Sequence, residues 1–367
     1  MRDPAPSIAV RREHHPCLDG LRGIAVLLVL YGHAPQLFGG GGSPTGFWSC
    51  SPGTWLGVDL FFVLSGYLIT TILLHERGRP RAFVRFWVRR ALRIFPLAYA
   101  YLGALALVAL ALPGFEHLRS TWPFVWAATY LLNFHIAATG WTAAALGILW
   151  SLAVEEHFYF VWPWLALRAR LRAIVGVLIA VIVGTPLLRW VVLERLGPVA
   201  VYVATFTRWD TLAFGALLAC ARASSHWPAA RRLLRWLVVP ALGFVAMVIA
   251  TPIEAVRATT PTWFHVLGYS GVALGGVAAC TLALEPSAWT QRLLGNRWLG
   301  AVGRISYGLY VLHVLTAELT RAALDACGLG GGMSLRVLLW LAVLFGTAAA
   351  SYRWFEAPLL RWKDRWR

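Results

Sequence analysis

About ten stretches of this chain, near 19–38, 54–75, 94–112, 145–167, 173–193, 199–221, 234–251, 263–284, 302–320 and 335–356, are apolar over roughly the 20 residues that a helix needs to cross a bilayer. In hydrocarbon a backbone must satisfy its own polar groups, so runs of this length leave one architecture open: an all-α, polytopic membrane bundle. Of the 367 residues 59% are hydrophobic and 13% charged, and no segment of useful size is left over for a soluble domain. The chain reads as a single membrane domain over 1–367, with a short N-terminal segment at 1–17 and a basic tail at 357–367. Asp19 and Arg22 lead into the first apolar run and no small-residue cleavage pattern follows, so that run reads as an uncleaved span and not as a signal peptide.

The net charge of +17 raises the question of nucleic acid, but the arginines sit in short segments between the apolar runs. There they read as topology signals facing anionic lipid, and no nucleic-acid partner is expected. The Arg-rich second loop, with Arg77, Arg79, Arg81, Arg85, Arg89, Arg90 and Arg93, belongs on the cytoplasmic side, whereas the first loop, about 39–53, has no Lys or Arg and belongs outside. The run at about 123–137 is ambiguous. A full crossing there would strand Arg168, Arg170 and Arg172 outside, so the segment is expected to dip in and return, or to lie on the surface, with both termini cytoplasmic in the plasma membrane. Five scattered cysteines, Cys17, Cys50, Cys220, Cys280 and Cys327, form no Cys-x-x-Cys pair, so neither a disulfide framework nor a metal site is expected.

Against this apolar background a few polar groups stand out. In Leu18-Asp19-Gly20-Leu21-Arg22-Gly23 and the following run to Gly32-His33, Arg22 and His33 are eleven residues apart, about 16 Å along one helix face. An ionisable group inside a span is costly and marks a reaction site or pathway, with a histidine hydrogen-bonded to a neighbouring helix as the alternative. The stretch LDGLRGIAVLLVLYGH resembles the opening signature of the membrane-bound acyltransferase-3 family, in which an Arg or Lys precedes a catalytic His with ten residues between them. Several later segments resemble the same family, and together they cover nearly the whole chain. The resemblance implies a catalytic role for His33 and a donor-side role for Arg22.

Gly57-Val58-Asp59 through Ser65-Gly66-Tyr67 is similar to the family's second signature. Asp59 there either orients His33 from the next helix or caps the helix that begins near Gly57. Arg90-x-x-Arg93 matches the family's Arg-x-x-Arg element; residues three apart share a helix face, so two guanidiniums can converge on one polyanion, and plain topological anchoring is the alternative. Trp150-Ser151-Leu152-Ala153-Val154-Glu155 looks like the family's Trp-Ser-Leu-x-x-Glu signature. It places Ser151 and Glu155 on one face, with a salt bridge from Glu155 to a buried arginine such as Arg208 as the structural alternative. Arg208-Trp209-Asp210 resembles an Arg-x-Asp element, for which local charge pairing is expected. His313, after Ser306-Tyr307-x-x-Tyr310, is expected to belong to the polar bundle interior, and Glu356 with Pro358 to mark a cytoplasmic helix terminus.

The resemblance implies transfer of a short acyl group, usually acetyl, from acyl-CoA to a hydroxyl of a carbohydrate or glycosylated natural product. Acyl-CoA is then a co-substrate, no bound cofactor is expected, and membrane lipids surround the protein. The residues allow that chemistry in their own right: a buried imidazole can act as base on the hydroxyl or carry the acyl group itself. Catalysis is then expected at His33, Glu155 and Asp59, donor binding at Arg22, Arg90 and Arg93, with Ser151, Arg208 and Asp210 in support. Some members of the family carry a C-terminal esterase-like domain; the sequence stops at Arg367 and resembles a form without it. The competing reading is a proton-coupled transporter in which His33, Asp59 and Glu155 form a relay.

Overall fold

The computed structural model describes residues 15–39, 55–251, 253, 256, 259–329 and 332–362. Apart from Gly39, the loop at 39–53 with Cys50 lies outside the described residues, as do Arg2, Arg11, Arg12, Arg257 and the end of the tail with Lys363, Arg365 and Arg367. Among the described residues the chain is helical throughout, with no strand. In order the helices are α1 (Pro16–Phe38), α2 (Leu56–Glu76), α3 (Ala82–Ala111), α4 (Thr121–Ala128), α5 (Leu132–Thr139), α6 (Ala144–Gly147), α7 (Trp150–Arg168) and α8 (Leu171–Val203). They continue as α9 (Trp209–Arg222), α10 (Trp227–Ala250), α11 (Tyr269–Leu284), α12 (Ala288–Leu294), α13 (Arg297–Arg304), α14 (Ser306–Ala326), α15 (Met333–Ser351) and α16 (Ala357–Trp362).

Among the described residues eight helical segments are long and apolar enough to cross a membrane, against the ten expected. The two that fall short are α9 and α14. α9 has 14 residues, about 21 Å, because the expected span at 199–221 is broken between Ala204 and Arg208. α14 has 21 residues but carries His313, Glu318, Arg321 and Asp325, which lower its apolar character. The run at 123–137 is also broken: α4 and α5, eight residues each, are separated at Tyr130, whose φ of 58° is left-handed. Each half is about 12 Å long, too short to cross alone. The expected helix terminus at Glu356 is instead a π-helical turn, Tyr352–Glu356, through which α15 runs on into α16.

α1 and α2 lie at the centre. α1 packs on α2, α13 and α14, and α2 on α9, α7 and α11. α8 and α10 lie at the periphery, where only 17% and 6% of their apolar windows are buried, against 61% for α1 and 67% for α2. Side chains on such peripheral helices face lipid, and the hydrophobic effect gives no drive for helices to associate there. What allows close association instead is small residues. At the α2–α9 crossing a Cβ on Gly66 would stand 1.9 Å from the Leu212 carbonyl oxygen, and one on Gly215 2.0 Å from that of Val63. Each glycine admits the other helix's backbone.

This crossing yields a direct test. Gly66→Leu forces the two backbones apart and should destabilise the detergent-solubilised protein by at least about 1–3 kcal/mol, read as a lowered thermal unfolding midpoint. Gly103→Leu, on α3 with open space at its Cβ, should leave the midpoint unchanged.

Candidate active site

The basic segment after α2 divides into arginines that are committed and arginines that are not. Glu76, only 2% exposed, accepts from Arg85 at 2.8 Å and lies 3.5 Å from Arg79 and 3.6 Å from Arg89. Arg77 donates to the carbonyls of Ala166 (2.7 Å) and Ala169 (3.1 Å), which ties the end of α2 to the end of α7. A half-buried guanidinium held by carbonyls loses solvation without gaining an anion, and burial lowers the pKa of Arg77. Arg90 and Arg93 differ: neither has an ion pair or a hydrogen-bonded partner among the described residues. The Arg90 guanidinium sits over the Tyr159 ring, 4.7 Å from its centroid.

Both arginines line a cavity of about 100 Å³ formed between α1, α2, α3, α7 and α14. Arg22 joins them from α1 while holding Asp19 at 3.2 Å. Three guanidiniums therefore face one small space. The opposing polar wall comes from α2 and α7, where Ser65 donates to Glu155 and Tyr159 stands 2.8 Å from the Ser65 hydroxyl. A hydroxyl has one proton to give, so the chain runs from Tyr159 through Ser65 to the carboxylate. Ser151 and Glu155 do share a face, as their spacing predicts, and both reach the cavity.

The far wall is Tyr310. Its hydroxyl donates to the Ile148 carbonyl (2.9 Å) and receives the Ser151 hydroxyl proton (2.7 Å). Its ring lies 5.8 Å from that of His313, and the His313 ring meets His33 edge-on at 4.8 Å. His33 does not line the cavity; it lies beyond this wall, its Nδ1 2.9 Å from the Val29 carbonyl oxygen. His313, expected as a generic part of the bundle interior, is thus the immediate neighbour of His33. Spacing shows only that Tyr310 and His313, three apart on one helix, project together; it does not show that they face His33.

Asp59 requires a correction. It neither orients His33 nor caps α2: it is 1% exposed and paired with Arg208, itself fully buried against Tyr269 (4.3 Å), Tyr202 (5.4 Å) and Phe62 (5.8 Å). The break before α9 turns Arg208 towards α2, so it is unavailable to Glu155, whose expected alternative partner it was. Nor do Arg208 and Asp210 pair with each other. Asp210 holds Arg189 at 2.5 Å, and Ser270 donates to its second oxygen at 2.6 Å. Arg189 also donates to the carbonyls of Thr207 (2.8 Å) and Val266 (3.2 Å). These two pairs bind α2, α8, α9 and α11 and do not line the cavity. Arg189 was missed because it sits within an apolar run; a lone arginine there was itself the signal. His157 also turns away, its Nδ1 2.7 Å from the Thr205 hydroxyl and its ring stacked on Phe134.

A family model described as an acyltransferase domain, that of acyltransferase-3, matches residues 15–353. The chain belongs to the acyltransferase-3 family. With eight apolar helices of spanning length among the described residues, it is a multi-pass membrane protein. It is similar to the peptidoglycan O-acetyltransferase OatA of Listeria monocytogenes, 29% identical over 374 residues, covering 95% of this chain and 56% of that protein. It is also similar to the putative peptidoglycan O-acetyltransferase YrhL of Bacillus subtilis (30% over 383 residues, 95% and 56%). A putative O-acetyltransferase of Staphylococcus aureus strain MSSA476 is 26% identical over 370 residues (95% and 58%). The chain therefore spans little more than half the length of these relatives. No solved structure matches it.

The two kinds of buried carboxylate in this family member should respond differently to substitution. Arg208→Ala leaves Asp59 charged and alone in the interior and should cost about 3–5 kcal/mol, seen as loss of monodisperse protein on size-exclusion chromatography. Glu155→Gln keeps an acceptor for Ser65 and should elute as the wild type does.

Proposed function

We propose that this chain is an integral membrane O-acyltransferase that moves a short acyl group, acetyl, from acyl-CoA to a hydroxyl of a carbohydrate or glycosylated acceptor. The observation that carries the reading is the pair Arg90 and Arg93: two cavity-facing guanidiniums that form no ion pair among the described residues, in a segment where Glu76 takes up their neighbours. Guanidiniums held in this state favour a polyanion, and the phosphates of coenzyme A supply one. The cavity is far too small for the whole donor. It suits the thin acyl-bearing end of the pantetheine arm, with the nucleotide phosphates remaining towards the arginines. The peptidoglycan after which two relatives are named is a carbohydrate polymer, which supports a sugar hydroxyl as acceptor.

In this reading the acceptor hydroxyl gives its proton to His33 and its oxygen forms the new bond to the acyl carbon. The carbon–sulfur bond breaks, and the thiolate of coenzyme A recovers the proton. Glu155, tied to Ser65, and the arginines position the donor; Tyr310 stands between donor cavity and histidines and must move, or be passed, for transfer. Asp59 has no part in the chemistry. Its pairing with Arg208 also weakens the transporter alternative, because a carboxylate locked in a buried ion pair is a poor member of a proton relay with His33.

The arginine count orients the protein with its Arg90 end and both termini towards the cytoplasm of the plasma membrane, where acyl-CoA is made. His33 then lies about 16 Å deeper along α1.

Two measurements test this. In proteoliposomes supplied with radiolabelled acetyl-CoA and a peptidoglycan fragment, Arg90→Ala combined with Arg93→Ala should raise the KM for acetyl-CoA about tenfold or more and leave that for the acceptor unchanged. An unchanged donor KM returns these arginines to topology alone. In intact cells, single-cysteine probes at Gly78, Arg170 and Ala230 should label only once the cytoplasmic face is opened. A probe at Ala138 should label from outside, and labelling of Ala138 from the cytoplasm would reverse the direction of α7.

A further inference from the structure

Both imidazoles behind Tyr310 are pinned in the same way. His33 Nδ1 lies 2.9 Å from the carbonyl oxygen of Val29 and His313 Nδ1 2.5 Å from that of Tyr310. A carbonyl oxygen only accepts, so in each ring Nδ1 is the protonated nitrogen and Nε2 carries the lone pair. The rings then meet edge-on, 4.8 Å between centroids, with both N–H groups used. His313 is completely buried, and its Nε2 has no hydrogen-bond partner. A buried acceptor without a donor is a disfavoured arrangement that native interiors rarely keep.

One added proton resolves it. A proton arriving at either Nε2 makes that nitrogen a donor, and one proton serves both rings once the two nitrogens approach to hydrogen-bond distance. A second would set two positive charges side by side in a low-dielectric interior and is disfavoured.

We propose that His313 is the proton partner of His33: the two rings form one site that takes up the proton released by the acceptor hydroxyl and holds it until the leaving thiolate recovers it. This rests on the acyltransferase reading. The O–H bond of the acceptor breaks and its proton passes to His33 Nε2, while the oxygen bonds to the acyl carbon. During that interval the His313 Nε2 lone pair receives the new N–H of His33. The carbon–sulfur bond then breaks, the thiolate takes the proton, and the pair returns to its neutral form. No oxidant or further reactant is needed. His313 acts through His33 and is a positioning residue; the base that meets the acceptor is His33.

The surroundings make the ring separable from the fold. The Trp340 indole N–H, which joins α15 to α14, donates to the backbone carbonyl of His313 (3.0 Å) and to the Thr316 hydroxyl (3.3 Å), not to the imidazole. His313→Ala therefore removes the ring and leaves that cross-link in place.

The experiment compares wild type, His33→Ala and His313→Ala in proteoliposomes with acetyl-CoA and a peptidoglycan fragment. His33→Ala should abolish transfer. His313→Ala should lower kcat about 10- to 100-fold with the KM for acetyl-CoA within about twofold of wild type, and added imidazole should restore part of the lost turnover by entering the vacated space. Wild-type kcat in His313→Ala overturns the proposal, as does a loss of turnover that imidazole does not restore in protein that still binds coenzyme A. A second measurement needs no substrate: nitrogen-15 spectra of histidine-labelled wild-type protein should show Nδ1–H and a free Nε2 lone pair for both rings at neutral pH. A resting Nε2–H form in either ring overturns the pair. An inactive wild type overturns the acyltransferase reading, while the nitrogen spectrum still judges the pair by itself.

Discussion

A charge inside a bilayer-sized bundle survives only if another group meets it there, and this requirement organises the protein around Asp59–Arg208 and Asp210–Arg189. The first pair reaches from the middle of the chain back to α2, and the second joins the start of α9 to α8. Neither arginine could be left in hydrocarbon, so the chain is broken before α9 in a way that satisfies both. The short helix that results crosses α2 closely, and α2 in turn presents Ser65 to Glu155 and Tyr159. The position of the cavity wall is thus a downstream result of where two buried guanidiniums find their carboxylates.

At the other end of α2 the same rule works by depletion. Glu76 collects Arg79, Arg85 and Arg89, while Arg77 is absorbed by carbonyls. What remains facing inwards is Arg90 and Arg93 with Arg22. A run of arginines that would otherwise act as a diffuse topological signal is sorted into structural members and a small group that faces the cavity. The sorting gives the donor reading its weight, since positive charge alone is common on the cytoplasmic face of any membrane protein.

How much of this was legible in the sequence depends on whether the contact is local. The all-α bundle follows from run length. The shared face of Ser151 and Glu155, and that of Arg90 and Arg93, follow from helical spacing, and these residues do meet in one cavity. Partnerships across the chain were not legible. Asp59 could have faced α1 or α9, and helical periodicity gives a face without saying what lies opposite; Arg208, 149 residues away, took it. His313 was undervalued for the same reason, because nothing near it in sequence reveals that α14 lies against the His33 end of α1. Arg189 was hidden by averaging, since a hydropathy window counts a single arginine as a small dent in an apolar run.

The crossing of α2 and α9 carries an evolutionary consequence. Each glycine there is opposed by a main-chain carbonyl, Leu212 for Gly66 and Val63 for Gly215. A clash between two side chains can be relieved by shrinking the other partner, so such positions drift together among descendants. A carbonyl is present whatever residue bears it, and no exchange at 212 or 63 makes room. Glycine at 66 and glycine at 215 should therefore each be held constant on its own account, with no covarying partner, and a search for correlated substitutions would pass over the tightest contact in this part of the fold.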